Sequence, residues 1–352
     1  MNTTRKKQTV PIFFAVDDNY APFLTVALRS LIDNSSRSYN YHINVLIEKL
    51  DAKNADVILG MQTDNVTIEL VDVSDKLESI CSRLHMRDYY TKATYYRFFI
   101  PEMFPQYDRG VYLDCDIAIS TDIARMYNCA LGSNLVAAIP DEIITDIDVF
   151  ARYSETVLNV PRLEYFNAGI LVMNLAEMRR MHIEQVFSDL LSERIYRVAQ
   201  DQDYLNVICH GRVKYFDKTW NKTPMPENSD PCVIPNIAHY KINFKPWKYD
   251  DVIYGDVFWY YAEKTPFYQY LLDMRGNYTD EEKQRDQAQY EGLVELAIEE
   301  VREELENKIS ESFRHPITVG KDASGGSELT FFSELFCDPY CVSDIVAIGE
   351  VI

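Results

Sequence analysis

Across residues 10–120, short apolar runs alternate with segments of helical spacing, and this order constrains the fold more than any other feature of the chain. Residues 10–16 (VPIFFAV), 41–47 (YHINVLI) and 66–73 (VTIELVDV) are brief and rich in β-branched and aromatic side chains, so each reads as a strand. A polar turn, Asp17-Asp18-Asn19-Tyr20, follows the first of them. Pro22 then stands where a first helical position belongs, with Phe23, Val26, Ala27, Leu31 and Ile32 at helical spacing behind it. Further helices are expected over 52–61 and 75–84. Alternation of this kind predicts an α/β chain with a parallel or mixed sheet covered by helices. No Gly-x-Gly-x-x-Gly follows the first strand, which argues against a dinucleotide fold of the usual kind. The polar turn serves either to hydrogen-bond a base and a ribose or to cap the helix as an Asx turn.

Residues 111–119 (VYLDCDIAI) read as one more strand with two carboxylates near its exit. Side chains alternate along a strand, so Asp114 and Asp116 share a face and Cys115 points the other way. Paired carboxylates repel unless a cation sits between them, and open α/β sheets gather ligands at the carboxyl ends of their strands. A lone Asp-x-Asp is a weak signal, common in surface loops. Just before it, residues 94–100 (TYYRFFI) read as a short helix that Pro101 helps to end. Arg97 is the one cation in that apolar stretch, placed to pair with a carboxylate or to face a phosphate.

Further along, 135–139 reads as a strand with Asp141 and Glu142 at its exit, and Tyr165-Phe166-Asn167-Ala168-Gly169 leads into a strand at 170–173. Asn174 caps a helix carrying Leu175, Met178, Met181, Val186, Leu190 and Leu191 on one face. Gln200-Asp201-Gln202-Asp203 opens another, with more hydrogen-bonding side chains than a cap needs. Residues 233–239 read as a short strand delivering His239, with Lys245-Pro246-Trp247 close behind; a lone histidine there is more often structural than a ligand. Residues 257–274 form an aromatic helical segment interrupted at Pro266. In 293–309, Val294, Ile298, Val301, Leu305 and Ile309 recur at helical spacing, a helix to pack on the domain or on a partner.

Charge narrows the partners. The net charge is −20, and residues 276–352, with 18 acidic and 6 basic side chains, carry most of it. A chain this acidic does not attract nucleic acid or an anionic membrane through bulk charge, so an anionic substrate needs local cations. No apolar run is long enough to cross a bilayer, and the one after the basic start ends at Asp17, too short for a signal peptide. The chain therefore reads as cytoplasmic, its seven cysteines as free thiols, Cys337-x3-Cys341 included.

The features DDNY, DCD, YFNAG, QDQD and HY followed by KPW occur in an order that resembles glycosyltransferase family 8, the retaining, metal-dependent enzymes of nucleotide-sugars. The resemblance covers roughly residues 10–275. It implies a GT-A fold (a mixed, mostly parallel central sheet flanked by helices) over residues 1–275, followed by an acidic C-terminal extension, 276–352, helical at about 279–312. By this resemblance Asp17 and Asn19, with Ala15 beside them, would hold the uracil and ribose of UDP. Asp114, Asp116 and His239 would bind Mn2+ or Mg2+, the nitrogen ligand favouring Mn2+, with Cys115 between the two acids. Lys245 would lie against the β-phosphate with Arg97 bracing the same region. Asn167, Ala168, Asp201 and Gln202 would surround the donor sugar, with Asp141 in the same shell. Asn167, Asp201, Gln202 and Lys245 would carry the catalysis. Same-face attack is favoured over a covalent route, for which Asp201 or Asp203 is a better nucleophile than Gln202. The family usually has glycine three residues after the metal histidine, and Ile242 stands there instead.

The implied function is hexose transfer, glucose or galactose, from a UDP-sugar to a saccharide or glycolipid acceptor of a cell-surface or lipopolysaccharide-type glycan. The acceptor would bring the enzyme to the cytoplasmic face of a membrane, and the C-terminal helix would meet the domain, a partner or a second copy of the chain. Two other classes compete: a non-catalytic nucleotide-sugar-binding protein of the same fold, and a Mg2+-dependent phosphatase or phosphotransferase using Asp114 as nucleophile. The latter usually carries its Asp-x-Asp after the first strand, whereas this pair lies over a hundred residues in.

Overall fold

The computed structural model describes residues 7–78 and 92–314. The expected helix at 75–84 begins as Ser74–Glu78, and its remainder lies outside the described residues, as do Cys337, Cys341 and residues 315–352. Nine strands are described: β1 (Gln8–Ala15), β2 (Tyr39–Ile47), β3 (Val66–Asp72), β4 (Gly110–Leu113), β5 (Ile117–Ile119), β6 (Val136–Pro140), β7 (Phe166–Met173), β8 (Val213–Tyr215) and β9 (Ile237–His239). Seven form one sheet in the order β3-β2-β1-β4-β7-β6-β8; β5 and β9 form a second, small one. In the large sheet only β7 runs against its neighbours, so the sheet is mixed and mostly parallel. Helices cover both faces, which is why its strands are nearly continuous apolar runs. Ile12 and Phe14 face one core with Val111 and Leu113, while Phe13 and Tyr112 face the other.

Several local expectations are corrected. Residues 111–119 are not one strand: β4 ends at Leu113, and the chain then leaves β7 to pair β5 with β9. The hydrogen-bonding partner changes, so the backbone bends through Asp114-Cys115-Asp116 between two sheets. Residues 92–98 form a 3-10 helix, and Pro101 sits in the first turn of the helix Ile100–Met103 instead of ending one; its missing N–H costs nothing there. The helix after Asn174 is two helices, Leu175–Arg180 and Ile183–Glu193, broken at His182 with φ +53°. Only Ile237–His239 of 233–239 is strand, Val233 and Ile234 being exposed. β8 had no counterpart in the sequence reading.

Beyond residue 275, a 35-residue helix, Asp280–Arg314, lies against the helix Asp148–Val157. Its inward stripe is Leu293, Ala297 and Val301, joined by Val294 and Leu305 on the flank; Ile309, expected on that face, is 44% exposed. Its acidic side chains meet cations of the domain: Glu304 lies 2.7 Å from Arg194, Glu300 contacts Arg197, and Asp286 lies 3.0 Å from Lys248. The half-exposed Arg194–Glu304 pair contributes about 0–1 kcal/mol, whereas the Glu300 and Asp286 carboxylates are themselves buried against their cations, so charge and apolar burial both hold the helix down.

Candidate active site

Because β7 alone is reversed, its amino end lies at the same edge of the sheet as the carboxyl ends of β1, β4 and β6. That edge collects Asp17 after β1, Asp114 after β4, Asp141 after β6 and Asn167-Ala168-Gly169 at the start of β7. The β6–β7 pairing shifts register between Ala137 and Ile139, with the extra residues on β7, so that Ile139 comes to lie opposite Asn167. These residues line one cleft together with Ala15, Arg97, Cys115, Asp116, Asp201, Gln202, His239 and Lys245. Asn19 is the exception: it is exposed and does not line the cleft. The Asp17 carboxylate accepts from the Tyr20 N–H at 3.0 Å, an Asx-type bond within the turn that precedes the helix Ala21–Asn34, whose own N-cap has no side-chain hydrogen bond.

The small sheet assembles the acids and the histidine. Ile117 pairs with His239, and the Tyr240 N–H donates to the Asp116 carbonyl at 2.9 Å. His239 Nε2 thereby lies 3.2 Å from Asp116 Oδ1 and 3.7 Å from Asp114 Oδ2. Neighbouring ligands of an octahedral ion with bonds of about 2.1 Å lie about 3 Å apart, so these three groups fit a divalent cation with hard oxygen preference. Gly169 supplies the space: a Cβ there would collide with Asp114 Oδ2 and with the His239 ring. Cys115 turns away, its Sγ 3.2 Å from the Ala15 carbonyl, and burial pushes its thiol well up, so it is no ligand in that pose.

Cations thread between the acids. Arg97 is buried over the Tyr112 ring, with Nη2 3.3 Å from Asp114 Oδ1 and Nε 3.2 Å from Asp201 Oδ2. Lys245 Nζ lies 2.5 Å from Asp116 Oδ2. Burial raises the Asp116 carboxyl, but Lys245 and His239 outweigh it and hold the group well below the ordinary carboxylate range. At Asp201 the balance is reversed: burial, opposed by Arg97, pushes it up to about 7. The cleft is lined by five aspartates (Asp17, Asp114, Asp116, Asp141, Asp201) and three basic side chains (Arg97, Lys241, Lys245). An anionic ligand entering such a lining needs further positive charge.

A hydrogen-bonded cluster forms the opposite wall. Gln202 Oε1 accepts from the Ala168 N–H and from Asn167 Nδ2, both at 2.9 Å, and Asn167 Nδ2 also donates to Asp141 Oδ2 at 2.8 Å. Burial raises the Asp141 carboxyl, but Lys241, 3.3 Å away, and Asn167 bring it below its usual value. Asp203 faces away from the cleft: it accepts from Tyr153 OH (2.8 Å), Tyr165 OH (2.7 Å) and the Ala199 N–H (2.8 Å). It is thus not placed to attack a substrate, which removes it from the two nucleophiles considered. Gln200, fully buried at φ +49°, makes the sharp turn that starts the helix Asp201–Cys209.

In the sequence Gly169 has a place in the YFNAG motif but no role, and nothing singles out Asn221, Lys241 or Leu293. Lys241 was within reach, two residues from His239 in the quoted motif. Leu293 reaches the cleft wall from the C-terminal helix, and nothing local marks either it or Asn221.

A model of the family described as glycosyl transferase family 8 matches residues 11–251. A relative from Haemophilus influenzae is 28% identical over 62% of this chain, which spans 64% of that protein's length. The lipopolysaccharide 1,3-galactosyltransferase of Salmonella typhimurium is 26% identical over 67% of this chain and 72% of its own. Among solved structures, the galactosyltransferase LgtC in complex with donor and acceptor sugar analogs is 25% identical with a TM-score of 0.61, over 73% of this chain and 96% of its own. The bifunctional glycosyltransferase WbbM is 26% identical with a TM-score of 0.68, over 79% of this chain and 53% of its own.

Proposed function

The chain belongs to glycosyltransferase family 8, and from that premise we propose that it moves a hexose, glucose or galactose, from a UDP-sugar to a saccharide or glycolipid acceptor with retention of configuration. The observation that carries this reading is the convergence of Asp114, Asp116 and His239 beside Lys245, in a lining whose acids outnumber its cations. The related lipopolysaccharide galactosyltransferase supports the sugar class and a cell-surface glycan as the product.

In this reading Asp114, Asp116 and His239 hold Mn2+ or Mg2+. The bound ion supplies charge stabilisation for the departing diphosphate. Ala15 and Asp17 border the nucleoside, and Lys245 shifts from Asp116 to a phosphate oxygen as the negative charge of the leaving group grows. Arg97 holds the Asp114 and Asp201 carboxylates apart and in place. Asp141, Asn167 and Gln202 orient the sugar hydroxyls, while the Asp201 carboxylate and Gln202 Oε1 face the cation-like anomeric carbon. Loss of one preorganised group of this kind costs about 3 kcal/mol in the barrier, or about a hundredfold in rate. The protein would work at the cytoplasmic face of a membrane, where its acceptor lies. Among the described residues no helix is long and apolar enough to cross one.

The test is UDP release from a panel of UDP-sugars in Mn2+, with and without EDTA. We expect turnover with UDP-glucose or UDP-galactose that EDTA abolishes. Phosphate release from simple monoesters without any UDP-sugar would favour a phosphatase instead, and tight UDP binding with no turnover in any acceptor mixture a binding protein.

A further inference from the structure

Asn221 ends the 3-10 turn Lys218–Trp220 and is 2% exposed. Its neighbour Lys222 is pinned beside β9, donating its N–H to the Ile237 carbonyl at 3.0 Å and accepting from the His239 N–H at 2.9 Å. From there the Asn221 amide bridges two groups of the cleft: Oδ1 lies 2.8 Å from His239 Nδ1, and Nδ2 lies 2.8 Å from Asn167 Oδ1.

The direction of each bond is decided by one backbone donor and one carboxylate acceptor. The Gly169 N–H points at Asn167 Oδ1 at 3.0 Å, so that atom is an oxygen. The other end of Asn167 meets Asp141 Oδ2, an acceptor-only carboxylate oxygen, and so is the NH2 group. Asn221 must then offer its NH2 to Asn167 Oδ1 and its oxygen to His239. An oxygen at His239 Nδ1 requires the proton there. With a cation between Asp114 and Asp116, Nε2 is then the nitrogen left to offer it a lone pair, the orientation a metal-ligating imidazole needs.

We infer that Asn221 is a positioning residue: it commits His239 to the Nδ1–H tautomer and holds the ring so that Nε2 serves as a cation ligand. The inference rests on the metal-binding reading above. The chain of amides anchors this commitment at Asp141, so the sugar wall and the metal ligand share one buried network whose members cannot flip independently. Every member is nine-tenths buried or more, which limits the solvent that can compete for the orientation.

The test is Mn2+ binding to the full chain without nucleotide, read from the electron paramagnetic resonance of the free ion. Asn221→Leu removes the acceptor at similar volume and should weaken Mn2+ binding about 10–100-fold, the range for loss of such an outer partner. Asn221→Asp keeps an acceptor for Nδ1–H but sets its second oxygen against Asn167 Oδ1, so it should bind Mn2+ more tightly than Asn221→Leu while falling short of the parent. Asp114→Asn in the same titration separates the two readings. If it binds Mn2+ like the parent, the metal site itself is wrong; if it loses Mn2+ while Asn221→Leu does not, only the role of Asn221 falls. Should Asn221→Leu fail to fold, the 15N shifts of His239 in the unmutated chain saturated with diamagnetic Mg2+ decide: Nδ1 protonated and Nε2 without a proton is expected, and the opposite tautomer overturns the inference.

Discussion

Gly169 lies so close to Asp114 that a single methyl group on it would overlap the Asp114 carboxylate. The Asp114 N–H donates to the Gly169 carbonyl at 2.8 Å, so backbone and side chain of one residue both rest on the other. Gly169→Ala must therefore displace Asp114 or His239. Misplacement of a reacting constellation by about 1 Å costs on the order of a hundredfold. We expect kcat/KM to fall by about that factor, with a thermal midpoint only a few degrees lower, as measured by steady-state UDP release and by calorimetry. An active Gly169→Ala enzyme with parental Mn2+ affinity would contradict the geometry.

Asp201 carries a pH prediction. Burial, opposed by Arg97, pushes its carboxyl up to about 7, so it is protonated below that value and ionised above it. If the carboxylate form faces the developing positive charge, kcat/KM rises as pH climbs through about 7. Asp201→Asn should be slower by about a hundredfold and should lose this rising limb. Equal pH profiles for the two proteins would remove Asp201 from the chemistry.

Asp203 makes the corresponding prediction for stability. Its folded carboxyl is raised to about 6 by burial, against about 4 in an unfolded chain. Between those values the folded protein keeps a proton that the unfolded one releases, so stability is greatest below pH 4 on this account and falls as pH rises to 6. The loss is about 3 kcal/mol. Asp203→Asn has no such proton, so urea midpoints of parent and variant should diverge steadily over that window; parallel curves would show the group to be ordinary.

Ile242 lines the cleft at φ +50°, a conformation in which a β-branched side chain is strained by about 1–2 kcal/mol. Ile242→Gly relieves that strain, which offsets much of the packing it gives up. It also clears the wall beside Lys245. Calorimetric titration with UDP in Mn2+ should show tighter binding by a few fold; weaker binding would mean that the isoleucine itself is a contact.

Much of this protein was legible without coordinates. The alternation of apolar runs with helical periodicity determined an α/β sheet, because a strand or helix must place its apolar side chains at its own period to bury them. The ordered set of DDNY, DCD, YFNAG, QDQD and HY-KPW determined the family, and all its candidate residues except Asn19 and Asp203 came to one cleft. Tertiary structure alone decided the rest. No local pattern says that the strand carrying Asp114 breaks after Leu113, since the break depends on β9 returning from over a hundred residues away to pair with β5. The need for a glycine at 169, the amide bridge through Asn221 and the turning of Leu293 into the cleft have the same origin. They are contacts between segments distant in the chain, and periodicity records only which face of a segment is buried, not what it is buried against.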